Sequence, residues 1–192
     1  MIRAALDRVQ LRDNTLIVFV SDNGGQRTWH SDKEYHGRYA DKAHTVLGDN
    51  KPLRGWKGDV YEGGIRVPAL ANWRSVLGPG QCDGPIHIVD WMPTLCGLVG
   101  CRPGHDLHWD GVDVWSAIDG AVLPDRGLYW KAPKFSAVRS GDWKLVIKND
   151  GSTAELYDLA ADPYETKDLA SQQPQRVTKL KRLWADFAAR DR

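Results

Sequence analysis

The chain has 192 residues, enough for one domain or one domain plus a small subdomain. Hydrophobic residues make up 42% and charged residues 27%, which excludes a disordered chain, and 26 Lys+Arg against 25 Asp+Glu leave a balance unlike a nucleic-acid surface or an acidic tail. The longest apolar run, residues 16–20, is far too short to span a membrane, and the N-terminus has no charged-apolar-cleavage layout, so no secretory signal is visible and no compartment is assigned.

Ile2, Leu6 and Val9 stand at helical spacing and predict an amphipathic helix ending near Leu11, before the turn cluster Arg12-Asp13-Asn14. Residues 15–20 (Thr-Leu-Ile-Val-Phe-Val) predict a strand buried on both faces, because β-branched and aromatic residues follow one another without polar alternation. A helix leading into such a strand points to α/β architecture with a parallel sheet. Residues 26–51 form a polar stretch longer than an ordinary connector, and residues 53–68 are Gly-rich. A short strand is predicted at 67–73, a helix at 88–99 with Pro93 in its first turns, and a short helix at 112–118.

The pattern changes near Arg126. Strands are predicted at 128–131, 135–139, 143–148 and 154–158, with Ser140-Gly141-Asp142 and Asn149-Asp150-Gly151 as hairpin turns. A last helix over about 174–189 carries Val177, Leu180, Leu183, Trp184 and Phe187 along one stripe. The fold class expected is therefore α/β: part of a mixed sheet flanked by helices over 1–124, followed by a small antiparallel sheet with a C-terminal helix over 125–192.

Asp22 and Asn23 lie just past the carboxyl end of the strand at 15–20, where ligands bind in open α/β sheets. Both offer hard oxygen donors, suited to Ca²⁺ or Mg²⁺ rather than zinc, while Asp-Asn-Gly-Gly is equally good chemistry for a plain turn. Lys57 stands in Arg54-Gly55-Trp56-Lys57-Gly58, where it is either a compact charge for a sulfate or phosphate oxygen or an ordinary surface lysine. Glu62 and Arg66, close together in a Gly-rich turn, fit a structural ion pair better than a catalytic pair. Three cysteines, Cys82, Cys96 and Cys101, leave at least one unpaired within the chain, and none has C-x-x-C spacing, so zinc is not suggested.

Taken in order, Ser21-Asp22-Asn23-Gly24-Gly25, Asn50-Lys51-Pro52-Leu53-Arg54-Gly55-Trp56-Lys57-Gly58 and Tyr61-Glu62-Gly63-Gly64-Ile65-Arg66-Val67-Pro68 resemble the downstream signature of the sulfatase family, within the alkaline phosphatase superfamily. Asp90-Trp91-Met92-Pro93-Thr94-Leu95, Asp110-Gly111-Val112-Asp113, Asp142-Trp143-Lys144-Leu145 and Glu155-Leu156-Tyr157-Asp158-Leu159 agree. The resemblance covers nearly the whole chain. It implies hydrolysis of a sulfate ester on a sulfated small molecule or carbohydrate. Asp22 and Asn23 would be ligands of an active-site Ca²⁺ (Mg²⁺ is second choice), Lys57 would contact the sulfate, and Glu62 and Arg66 would support the site structurally. Such a parent fits a periplasmic or secreted protein.

The family's nucleophile is a Cys, sometimes Ser, in a C-x-P-x-R type motif, oxidised to formylglycine. No such motif stands upstream of Asp22, so the formylglycine is expected in a segment outside this chain. Cys101-Arg102-Pro103-Gly104-His105 begins like the motif but ends in His, and it follows the metal pair. The six histidines, His30, His36, His44, His87, His105 and His108, take no role in the resemblance. Trp29, Trp56, Trp109 and Trp130 suit either stacking on a sugar or aryl ring or burial. Two alternatives stand beside the sulfatase reading: a catalytically inactive, truncated sulfatase-like protein, and a phosphoester or phosphonate hydrolase of the same superfamily.

Overall fold

A computed structural model describes residues 1–26, 28–29, 44–45 and 48–191. In chain order the elements are α1 (Ile2–Arg8), β1 (Ile17–Val20), β2 (Thr28–Trp29), β3 (His44–Thr45), α2 (Glu62–Ile65), β4 (Ala69–Asn72), α3 (Trp91–Leu98), α4 (Trp115–Ile118), β5 (Gly127–Lys131), β6 (Phe135–Ser140), β7 (Trp143–Lys148), β8 (Ala154–Asp158) and α5 (Pro174–Arg190). This is a mixed α/β arrangement. Two compact units result: Met1–Phe19 with Ala69–Pro124, and Val20–Pro68 with Asp125–Arg192. Most of the long polar stretch predicted at 26–51 lies outside the described residues.

In the first unit, β1 pairs with β4. The prediction of a strand covered on both faces is not met: Val18 and Phe19 are 36% and 54% exposed. β4 is the only neighbour of β1 among the described residues, and a two-stranded sheet cannot bury both faces of an apolar strand. The predicted helix at 88–99 is divided. A 3₁₀ turn, Ile88–Asp90, leads into α3, and the fully buried Asp90 sits at the joint. Its carboxylate accepts from the His87 N–H at 2.7 Å and from the Val112 N–H at 3.1 Å. Buried Thr94 donates its hydroxyl to the Asp90 carbonyl at 2.7 Å and accepts from the Val114 N–H at 2.9 Å. Buried polar groups survive only with such partners. The Asp-x-x-Pro-Thr and Asp-Gly-Val-Asp stretches of the sequence are thus two halves of one hydrogen-bonded joint.

In the second unit, β5-β6-β7-β8 form an antiparallel sheet in that order, with Leu128 opposite Arg139, Val138 opposite Leu145, and Leu145 opposite Leu156. Side chains alternate faces along a strand, and the two faces have separate cores. Val138, Leu145 and Leu156 pack with Leu180 of α5, flanked by Val177, Leu183, Trp184 and Phe187. This is the helix stripe read from the sequence. Tyr129 stacks on Phe187 with centroids 5.5 Å apart. On the opposite face Ala137, Val146 and Tyr157 pack with Val60 and Leu159, flanked by Tyr61, Trp130 and Phe135. The sheet is therefore covered twice, by α5 and by the segment around Val60. Continuous burial of Lys144-Leu145-Val146-Ile147 in β7 follows from that double cover.

Leu156 is fully buried at the centre of the face under α5. Leu156→Ala is expected to lower the unfolding free energy by about 2–5 kcal/mol. Urea denaturation followed by tryptophan fluorescence measures it, and a loss under about 1 kcal/mol would contradict this placement of the core.

Candidate functional site

The turn after β1 carries Asp22 and Asn23, and backbone hydrogen bonds hold it against the segment at 64–68. The Ser21 N–H donates to the Pro68 carbonyl at 3.1 Å and the Gly24 N–H to the Gly64 carbonyl at 3.0 Å. Gly24 has no room for a side chain, since a Cβ there would lie 1.8 Å from the Gly63 carbonyl oxygen. Within the turn, the Ser21 hydroxyl donates to the Asn23 carbonyl at 3.1 Å, and the Asn23 N–H donates to Asp22 Oδ1 at 3.0 Å. The Asp22 side chain is exposed, and Asn23 is half-buried.

Asn50 ties this turn to the one bearing Lys57. Its Oδ1 accepts from the Gly25 N–H at 2.7 Å, while its Nδ2 donates to the carbonyls of Gly25, at 3.0 Å, and Gly55, at 3.1 Å. The Lys57 N–H then donates to the Gly25 carbonyl at 3.0 Å. Asp59 closes the Lys57 turn by accepting from the Trp56 N–H at 2.9 Å. The turns that carry the residues singled out from the sequence are joined through the main chain: Lys57 is hydrogen-bonded at Gly25, two residues beyond Asn23. Its side chain is exposed to solvent.

Beneath these turns lies a buried charge cluster. Glu62, at the start of α2, receives Lys144 Nζ of β7 on Oε1 at 2.8 Å. The same ammonium stands 2.8 Å from Glu165 Oε1, an ion pair whose angle falls short of an aligned hydrogen bond. Glu165 Oε2 accepts from the Glu62 N–H at 2.7 Å. All three side chains are buried. Two carboxylates share one ammonium, and burial pushes the Glu165 carboxyl above its ordinary value against the pull of Lys144. The expectation that Glu62 pairs with its neighbour Arg66 is corrected: Arg66 is exposed, and the partner of Glu62 is a lysine 82 residues away. A cation pays a smaller desolvation penalty at the surface, where Arg66 already lies, whereas a buried carboxylate needs a buried partner.

A second polar group fastens the Lys57 turn to the same sheet. Arg54 Nη1 donates to the Tyr157 hydroxyl at 2.6 Å and to the Glu165 carbonyl at 3.3 Å, and its guanidinium lies 3.9 Å from the Tyr61 ring centroid. Both tyrosines donate to Glu155 Oε2, Tyr61 at 2.8 Å and Tyr157 at 2.5 Å. Burial first, and then the bond to Glu155, push both phenols above their ordinary value, so both stay protonated donors.

The other candidates fall outside this arrangement. Among the described residues no group of three or more His, Cys, Asp or Glu side chains could hold a metal. His30 and His36 lie outside the described residues, and His105 and His108 are exposed. Trp130 is half-buried and packs against the sheet core. A cavity of about 730 Å³ in the first unit, lined by Arg3, Asp7, Arg12 and Arg74, contains none of Asp22, Asn23 or Lys57.

The Sulfatase family model matches residues 1–101. This chain belongs to the sulfatase family. It is 30% identical to mouse (Mus musculus) arylsulfatase J across 95% of its own length and 36% of that protein's. It is 27% identical to the N-acetylgalactosamine-6-O-sulfatase of Bacteroides thetaiotaomicron, covering 93% of this chain and 37% of the relative. Among solved structures it superposes on Ps i-CgsB with a TM-score of 0.78 at 27% identity, over 96% of this chain and 38% of that one. The sulfatase chain thus spans little more than a third of the length of these relatives.

Asn50, Arg54, Lys144, Tyr157 and Glu165 were not read from the sequence as parts of the site. One signal was present: Lys144 interrupts an apolar strand run, and a lysine there must find a buried anion. Lys144→Met leaves Glu62 and Glu165 buried without their cation. The expected cost is about 3–5 kcal/mol of stability. Thermal and urea unfolding of the variant test this, and a variant as stable as the parent would show that the cluster does not hold the α2 turn to the sheet.

Proposed function

We propose that this sulfatase chain supplies the electrostatic side of a sulfate-ester hydrolase site. Asp22 and Asn23 hold a Ca²⁺ ion, and Lys57 contacts the sulfate oxygens. The observation that carries the reading is the hydrogen bond from the Lys57 main chain to Gly25, which sets the lysine turn beside the Asp22-Asn23 turn. An exposed carboxylate and an amide carbonyl are hard oxygen donors that fit Ca²⁺, with the remaining ligands coming from outside the described residues. When bound, the ion supplies Lewis-acid polarisation of a sulfate oxygen.

The residues of this chain bind and orient. The Lys57 ammonium offsets negative charge on the sulfate oxygens as the S–O bond lengthens, and its benefit depends on being held in place beforehand. The Asn50 clamp and the Asp59 turn restrict its backbone for that purpose. The covalent partner is a formylglycine from a segment outside this chain. Sulfated carbohydrate is the substrate class we favour. The name of the N-acetylgalactosamine-6-O-sulfatase relative supports it, as does a neighbour of TM-score 0.77 and 28% identity solved in complex with a neocarrahexaose.

In a full-length sulfatase containing this chain, Lys57→Ala is expected to lower kcat on a sulfate ester by about 10²-fold, the usual cost of one preorganised charge-stabilising group. Asp22→Ala is expected to weaken Ca²⁺ binding, read by titration calorimetry. Unchanged turnover in the first variant would remove Lys57 from the site, and unchanged Ca²⁺ affinity in the second would remove Asp22. Parallel assays with an aryl phosphate separate sulfate from phosphate chemistry.

A further inference from the structure

The C-terminal end of α3 carries a second kind of chemistry. Three features define the turn there. Gly100 adopts φ 66°, in the left-handed region that favours glycine. The Gly100 N–H donates to the Gly97 carbonyl at 3.2 Å, and the Cys101 N–H donates to the Cys96 carbonyl at 2.9 Å. This nested pair of bonds is the Schellman helix stop. In that motif the residues at the two ends of the longer bond lie side by side, and an apolar contact between their side chains frequently accompanies it. Here both positions are cysteine.

The two thiols are unequal. Cys96 is half-buried and Cys101 is exposed, and all three cysteines of the chain are free. Burial raises the Cys96 thiol above its ordinary value, and the adjoining Cys101 sulfur raises it further. An exposed thiol beside a half-buried one is the usual division between an attacking and a resolving cysteine. Cys82 lies outside the turn, with its sulfur beside Gly84.

We propose that Cys96 and Cys101 form a dithiol site that closes to an intrachain disulfide across the α3 stop by exchange with a small-molecule disulfide. The Cys101 thiolate attacks one sulfur of the disulfide, whose S–S bond breaks and releases one thiol after protonation. The Cys96 thiol then loses its proton and attacks Cys101 Sγ, forming the intrachain S–S bond and expelling the second thiol. Two cysteine thiols give up two electrons and two protons, and one external disulfide becomes two thiols. Closure replaces an ordinary side-chain contact with a covalent tie and prevents the last turn of α3 from fraying.

The test equilibrates the full chain with mixtures of oxidised and reduced glutathione, followed by acid quenching, alkylation and mass spectrometry. Chymotrypsin cleaves after Leu98, between the two cysteines, so a disulfide holds the fragments together. The expected result is loss of two alkylated thiols and linkage of the Cys96 and Cys101 fragments, unchanged in Cys82→Ser. In Cys96→Ser, Cys101 should stop as a glutathione adduct. Gly100→Ala should lower the closure constant about tenfold, because alanine is disfavoured in the left-handed conformation, and denaturant should lower it too. Three free thiols at every glutathione ratio, linkage through Cys82, glutathione adducts alone in the parent chain, or equal closure in denaturant would each overturn the proposal.

Discussion

The ammonium of Lys144 is the point on which the candidate site rests. A buried lysine near the start of β7 would be intolerable in an apolar core, and it is accommodated because two carboxylates come to it. One of them, Glu62, begins α2. From there the linkage runs without a break: the Glu62 N–H is held by Glu165, the Gly64 carbonyl two residues further along α2 receives the Gly24 N–H, and Gly24 follows Asn23 directly. Arg54, bonded to Tyr157 of β8, secures the turn that presents Lys57. Both exposed turns are thus fastened to one face of the four-stranded sheet.

Polar fastening adds to apolar packing in this glycine-rich segment. Val60 and Tyr61 pack on the sheet, while at Gly63 and Gly64 the main chain approaches other main chain too closely for larger residues. Directional bonds from Asn50, Arg54 and Glu62 hold the parts of the segment that do not pack. They also fix orientation, which a purely apolar contact would leave free to slide. A charged group acting on a developing transition state gains most when its position is set before the substrate arrives, and this is the property such a framework confers.

Much of the architecture was legible in the sequence because it depends on local pattern. The four strands of the C-terminal sheet and the stripe of α5 fall within a residue or two of their predicted bounds, since alternation and helical spacing report the face that each side chain takes. The helix at 88–99 was less well read. Asp90 has a helix-compatible identity, yet it spends its carboxylate on main-chain groups at His87 and Val112, and this turns the start of the helix into a 3₁₀ segment. The strand at 15–20 is present as β1, but its composition asks for cover on both faces and the described residues provide it with one neighbour.

The sequence by itself determined the family, through motifs in fixed order, and it singled out Asp22, Asn23 and Lys57 by residue type and setting. Only the tertiary structure decided how they are held. Glu62 and Lys144 are 82 residues apart, and Arg54 and Tyr157 are 103 apart, so no local period or turn rule connects them. Their pairing follows from the register of β7 and β8, which puts Lys144 opposite Tyr157 on the face away from α5. That face is buried by the Gly-rich segment itself, and a buried charge must take its partner from whatever element covers it.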